Sequence, residues 1–336
     1  MTGDGRAFTH VPVALDRVVE LLRVVPDGLV VDATLGGAGH AAALLDAHPG
    51  VRLLGLDRDE DAVEVATSRL ARFGDRATVR HARFDEMRAI VRSLGEEGVI
   101  GVLFDLGVSS PQLDRSERGF SYRHEAPLDM RMDRTQERTA ADVVNGLSAD
   151  ALAHVIDRYG DERFARRVAS AIVAHRPIET TTQLADVVRD AIPAATRRRG
   201  GHPAKRTFQA IRIEVNEELS VLADGIDQAI DLLLPGGRAV VLSYHSGEDR
   251  LVKERFRRAA TGGCVCPPGL DCVCGATPTV QFVRGAKHAS AAEVEANPRA
   301  SSVRLRAVEA LPRDPVGTAD AAEGSAPSRS AGRAAS

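Results

Sequence analysis

Along the chain, short runs of apolar residues alternate with longer stretches whose apolar positions recur every three or four residues. The runs at 29–32, 51–57, 77–81 and 99–105 read as buried strands, and three of them end on aspartate, at Asp32, Asp57 and Asp105. Between them, 40–47, 61–73 and 84–94 have helical spacing, and a further helix at 12–25 is stopped by Pro26-Asp27-Gly28. Such alternation predicts right-handed βαβ units in a parallel, doubly wound α/β sheet.

Beyond Pro111 the alternation lapses for roughly 90 residues, and no good strand candidate interrupts a charged, helix-like stretch. Helices are expected at 140–145, 149–159, 162–175 and 182–191, with Asp142, Ser148, Asp161 and Thr181 near their starts. One long amphipathic helix is then expected at 206–234, closed by Pro235-Gly236-Gly237. A strand at 238–242 opens into Ser243-Tyr244-His245-Ser246, and a late strand at 302–308 completes the sheet. The expected organisation is a discontinuous domain of residues 1–112 and 206–311, a helical insertion at 113–205, and a disordered, Ala-, Gly-, Ser- and Pro-rich tail at 312–336.

At 336 residues and 43% hydrophobic content the chain can bury a large core. It has neither an apolar run near 18 residues nor a charged-then-apolar start, so a cytoplasmic, non-membrane protein is expected. The net charge of -3 carries no global nucleic-acid signature. Locally, Arg197, Arg198, Arg199, Lys205, Arg206 and Arg212 follow one another with no acid between them. That excess suits a polyphosphate partner or, equally, a solvated basic helix end.

The loop Asp32-Ala33-Thr34-Leu35-Gly36-Gly37-Ala38-Gly39-His40 joins a strand to a helix, where glycines let backbone approach a ligand. A dinucleotide loop would put its first glycine directly after the strand, whereas here an acid and three further residues intervene. Negative charge at that tip suits a cationic, amino-acid-bearing ligand such as S-adenosyl-L-methionine. Asp57 stands where such folds place a ribose acceptor, although it or Asp59 could instead cap the next helix. Phe84 is an adenine platform or a core aromatic, and His40 a ligand contact or a satisfied helix-start histidine. At the tip of the fourth strand Asp105, Ser109, Ser110 and Gln112 converge where cofactor and substrate would meet.

Ordered motifs across residues 8–309 resemble one family. They are His10-Val11-Pro12-Val13, the glycine loop, Leu106 to Leu113, Arg118-Gly119-Phe120-Ser121 and Pro127-Leu128-Asp129-Met130-Arg131-Met132-Asp133. Tyr159-Gly160-Asp161-Glu162, His202 to Ala210, Val215-Asn216-Glu217-Glu218-Leu219, Ser243 to Ser246 and Asn297 to Ser302 follow in order. In these the chain is similar to the RsmH (MraW) family, bacterial methyltransferases of the 4-amino group of a cytidine in small-subunit ribosomal RNA. The resemblance implies a Rossmann-like S-adenosylmethionine-dependent methyltransferase sheet with an inserted all-helical domain. It places Ala38, Gly39 and His40 at the methionine end of the cofactor, Asp57 at the ribose and Phe84 beside the adenine. Asp105 and Gln112 complete the cofactor side.

For the chemistry, Asp105 or Ser109 would accept the N–H of a poorly nucleophilic cytosine amine, or else Asp105 touches only cofactor and Ser109 only shapes a turn. Lys205, Arg206 and His245 are the expected substrate contacts, and Tyr244 or Phe120 could stack on an unpaired base. The expected partner is small-subunit rRNA, within an assembled 30S particle, and a homodimer is compatible with the sequence. The chain departs from the family pattern at Ala33 and Ala38, where glycine is expected, and at Tyr244 and Gly247, where Phe and Leu are commoner. A dehydrogenase using the glycine loop and a non-catalytic ribosome-assembly factor are the competing readings.

The four cysteines fall in one stretch, as Cys264-Val265-Cys266 and Cys272-Val273-Cys274 around Pro267-Pro268-Gly269. Two such pairs could hold zinc, form an oxidation-sensitive loop or flank a metal-free hairpin.

Overall fold

The computed structural model describes residues 12–109, 112–113, 115–197, 201–267, 273–284, 295 and 298–312. The expectations for His10, Val11, Ser110, Pro111, Arg198, Arg199, Cys272, Asn297 and the tail from 313 onward lie outside the described residues.

Seven strands form one sheet in the order β3-β2-β1-β4-β5-β7-β6. They are β1 (Gly28–Asp32), β2 (Val51–Asp57), β3 (Ala77–His81), β4 (Val99–Asp105), β5 (Leu233–Ser243), β6 (Val280–Phe282) and β7 (Arg304–Ala310). The first five are mutually parallel, while β7 runs antiparallel to both β5 and β6. Strand order reverses between β1 and β4, so a crevice opens beyond their carboxyl ends.

Both faces of the sheet's centre are covered, which is why β1, β2 and β4 are mostly apolar rather than alternating. Val30, Leu53 and Leu103 pack beneath α1 (Leu15–Leu22) and α2 (Gly39–Ala47). Val31, Leu54 and Phe104 face the opposite layer, which includes α4 (Met87–Ser93). Between them in sequence α3 (Glu60–Leu70) starts on Asp59, whose carboxylate accepts the Asp61 N–H at 3.1 Å. Asp59, not Asp57, is thus the cap.

Between β4 and β5 the described residues supply helices α5 (Ala140–Gly146), α6 (Ala149–Gly160), α7 (Ala165–Ala174), α8 (Thr181–Ala191) and the short α9 (Ala194–Arg197). Their caps are Thr139, Ser148, Phe164 and Thr180 for the first four. Asp161, expected near a helix start, instead ends α6 in the left-handed region at φ 49°. These helices have a core of their own. Phe208, Ile211 and Val215 also belong to it.

The single helix expected at 206–234 is two, α10 (Lys205–Asn216) and α11 (Glu218–Leu232), broken at Glu217 with φ 51°. Neither glycine nor proline marks the break. Asn216 fixes it, because its buried amide donates to the Met130 carbonyl at 2.7 Å and its Oδ1 accepts the Met132 N–H at 2.8 Å. The Pro235-Gly236-Gly237 segment sits inside β5 as an irregularity in register rather than ahead of the strand. Helix α12 (Ser246–Thr261) and strand β6 were not legible from the periodicity. Among the described residues no helix is long and apolar enough to cross a membrane.

Candidate active site

Parallel pairing carries Asp32, Asp57 and Asp105 to the ends of β1, β2 and β4, on the side where the crevice lies. The glycine loop is laced across these ends. The Ala33 N–H donates to the Leu103 carbonyl and the Leu35 N–H to the Leu56 carbonyl, which continues the ladder past the strands. Gly36 N–H donates to Asp57 Oδ2 at 2.7 Å, and Asp59 N–H donates to Asp57 Oδ1 at 2.9 Å. Asp105 N–H donates to Thr34 Oγ1 at 2.6 Å, tying the loop to β4.

Ala38 begins α2 in the left-handed region, φ 57° and ψ 31°, and is fully buried. An L-residue there carries strain of about 1–2 kcal/mol that the glycine expected at this position would avoid. Gly39 cannot be replaced in the same way, because a Cβ would lie 2.3 Å from Pro12 Cγ. His40 is buried, with Nε2 3.0 Å from the Val13 carbonyl and Nδ1 3.7 Å from Asp105 Oδ2.

Burial raises the Asp32 carboxyl to about 8, and the charges of Asp105 and Asp57 push in the same direction. Burial likewise raises Asp57 to about 6, against the two N–H groups it accepts. A group raised above its unfolded value of 3.8 holds its proton longer in the folded chain. Its contribution to stability therefore falls as pH rises from 3.8 towards about 8. Asp32→Asn is expected to flatten this slope in thermal unfolding of the ligand-free chain, and an unchanged slope would show that Asp32 is not its source.

Asp105 is the point at which the site gathers. Its Oδ1 accepts the Tyr244 hydroxyl at 2.7 Å, and its Oδ2 faces His40. Tyr244, considered above as a stacking residue, thus orients a carboxylate from the end of β5. Phe120, the other stacking candidate, is buried in the core of the insertion. Phe84 is half-buried and meets Phe104 edge-on with centroids 5.5 Å apart, while α11 gives it room at Gly225, where a Cβ would be 2.6 Å from the ring.

Ser109 and Gln112 close a turn on each other. The Gln112 Oε1 accepts the Ser109 N–H at 2.9 Å, and the Ser109 hydroxyl accepts the Gln112 N–H at 3.4 Å. The Gln112 amide then donates to Asp59 Oδ2 at 2.7 Å. Both side chains therefore hold the segment after β4. Arg118 completes this anchor, reaching Asp59 at 2.9 Å and the carbonyls of Arg131 and Met132 at 3.0 and 3.1 Å. Arg118 stands in the Arg118-Gly119-Phe120-Ser121 motif, whose local pattern gives no sign of this role.

Lys205 and Arg206, expected to touch substrate, open α10 and are exposed. Lys205 lines a cleft of about 560 Å³ with Tyr122, Arg123, Gly201 and His202, in which Tyr122 stacks on His202 at 4.3 Å. Arg206 donates to the Asp161 carbonyl at 2.9 Å, and Asp161 Oδ2 accepts the Ser246 hydroxyl at 2.8 Å. Ser246 lies two residues from Tyr244, so basic face and strand tips are linked through Asp161. His245 does not point outward as a substrate ligand. It caps α12, its Nδ1 accepting the Gly247 N–H at 3.2 Å and its Nε2 lying 3.1 Å from Glu248 Oε1. Burial alone would raise Glu248, but His245 and Arg212 hold its carboxyl below the usual range.

A parallel sheet with reversed order at β1/β4, an antiparallel β7 inserted beside β5, and acids closing three adjacent strands define a Rossmann-like methyltransferase. The chain matches the MraW methylase family over residues 7–311 and belongs to it. It is 54% identical over 311 residues to the ribosomal RNA small subunit methyltransferase H of Thermobifida fusca, covering 90% of this chain and 94% of that one. The enzyme of the same name from Symbiobacterium thermophilum is 52% identical, covering 91% and 98% respectively. That from Geobacter sp. strain M21 is 51% identical, covering 90% and 99%.

Proposed function

We propose that this chain uses S-adenosyl-L-methionine to methylate the 4-amino group of a cytidine in small-subunit ribosomal RNA, in the cytoplasm and on an assembled 30S particle. The observation that carries the reading is the cluster of Asp32, Asp57 and Asp105 at the sheet's reversal point in a chain of this family. Burial, helped by the charges of Asp105 and Asp57, raises Asp32, and a ligand with a cationic end would offset the negative charge gathered there. Ala38, Gly39 and His40 border its methionine end, Asp57 its ribose and Phe84 its adenine, with Gln112 keeping the wall in place. The cofactor supplies the electrophilic methyl group.

The chain's own residues supply alignment and a proton acceptor. A cytosine amine is weakly nucleophilic because its lone pair is delocalised into the ring. Asp105, fixed by the Tyr244 hydroxyl, accepts its N–H and favours the attacking geometry. Positioning contributes much of the acceleration, since an in-line displacement tolerates little misplacement. Ser109, whose hydroxyl is engaged in the turn, shapes this wall rather than taking the proton.

The exposed Lys205 and Arg206 hold the RNA backbone and carry affinity without base identity. Changing both to alanine is expected to weaken RNA binding about tenfold and to reduce its salt dependence by roughly two phosphate contacts. Cofactor affinity should stay unchanged, and equal RNA binding by the variant at every salt concentration would remove these residues from the interface.

Incubation with methyl-labelled S-adenosylmethionine and either naked rRNA or 30S particles tests the whole reading. Label is expected on one cytidine of the particle, and label on no cytidine of either substrate would overturn it.

A further inference from the structure

All four cysteines fall at positions 264–274 of the sequence, and the described ones, Cys264, Cys266 and Cys274, lie between α12 and β6. The thiol groups of Cys264, Cys266 and Cys274 lie within 4.8 Å of one another. Tetrahedral zinc with Zn–S bonds of about 2.3 Å requires sulfurs about 3.8 Å apart, so a small inward adjustment gives that spacing.

The loop is turned inside out relative to hydrophobic packing. Val265 and Val273, the middle residues of the two Cys-Val-Cys pairs, are 88% and 89% exposed, while the sulfurs beside them cluster. An ordinary loop would turn such valines inward, out of water. The three gathered sulfurs form a donor set of the kind a thiophilic metal takes.

The neck of the loop is already closed. At Gly262, φ 61°, a Cβ would lie 2.5 Å from the backbone of Thr277, so the two limbs touch there. Cys264 N–H donates to the Thr261 carbonyl at 3.1 Å, and Thr279 N–H donates to the Ala259 carbonyl at 3.0 Å. The limbs are therefore held together before any metal binds, which limits the ordering needed at the site. Arg250, Lys253, Arg257 and Arg258 on α12 line a cleft that reaches Cys264, and such cations offset the negative charge of a metal–thiolate centre.

We infer that Cys264, Cys266 and Cys274 are thiolate ligands of a structural zinc ion that pins the α12–β6 loop, with a fourth donor completing the tetrahedron. The site is separate from the strand tips and takes no part in methyl transfer.

Full-length chain purified under reducing conditions is expected to carry about one zinc per molecule by metal analysis. Replacement by cobalt should give the intense visible bands of tetrahedral coordination together with near-ultraviolet sulfur-to-cobalt charge transfer. Cys264→Ser and Cys274→Ser should each lower zinc below about 0.2 per chain while the sheet's melting transition persists. Less than about 0.2 zinc per wild-type chain after incubation with zinc, with no charge-transfer band from cobalt, would overturn the proposal. So would a disulfide between any two of these cysteines in freshly purified, zinc-free protein.

Discussion

Asp105→Asn is expected to lower kcat for rRNA methylation by about 10²–10⁴-fold while cofactor affinity changes by no more than a few-fold. Asparagine keeps the shape and can still meet the Tyr244 hydroxyl, yet it cannot take a proton from an amine. The split matters because Asp105 has two candidate roles. If it served the cofactor alone, the substitution would raise the cofactor's Kd and leave kcat at saturation near the parent value. Tyr244→Phe is the companion experiment. It removes the 2.7 Å hydrogen bond to Asp105 Oδ1 while preserving the ring, and a loss of about 3–30-fold in kcat is expected from a looser carboxylate. Ser109→Ala should change kcat by less than either, because its hydroxyl meets the Gln112 backbone through a 3.4 Å contact. Equilibrium dialysis for the cofactor and single-turnover methylation separate these outcomes.

The strands that carry the site were legible because a sheet covered on both faces leaves mostly apolar runs, and β2 and β4 match the expected bounds, as does the less buried β3. Asp32, Asp57 and Asp105 followed from the same pattern, since each is the first charge after such a run. Arg118 was not legible. Its value arises from Asp59, 59 positions away in sequence, and no local period records a contact of that separation. Glu217 was missed for a related reason. Its left-handed backbone is imposed by Asn216 bonding to Met130 and Met132, whereas local propensity favours an unbroken helix. His245 misled in the opposite sense. A histidine after a strand tip suggests a ligand contact, but its ring serves the first turn of α12, where helix ends need acceptors for unpaired N–H groups. Tyr244 shows the limit of residue type as a guide: an aromatic at a substrate crevice suggests stacking, and only the folded geometry directs its hydroxyl to Asp105.

Arg118→Met is expected to destabilise the chain by about 3–5 kcal/mol, because it strands the carboxylate of Asp59 in a site where both side chains are only 4% exposed. The guanidinium also satisfies the carbonyls of Arg131 and Met132, so the loop between β4 and α5 loses its tie to the head of α3. A second substitution distinguishes the charge from the packing. In Asp59→Asn the buried charge is gone and the amide oxygen can still cap α3, although its NH2 group then meets the Gln112 amide as a second donor. Arg118→Met combined with Asp59→Asn should therefore recover roughly half of the lost stability, giving a coupling energy of about 1–3 kcal/mol in a double-mutant cycle of urea unfolding. Methylation should not recover with it, since Asp59→Asn leaves a single amide oxygen for both the Asp61 N–H and the Gln112 amide, and the Arg131–Met132 segment has lost its donor. Additive losses in the cycle would mean that the two residues are neighbours without being partners. Full recovery of activity alongside stability would mean that the anchor serves the fold alone and that the wall beside Asp105 forms without it.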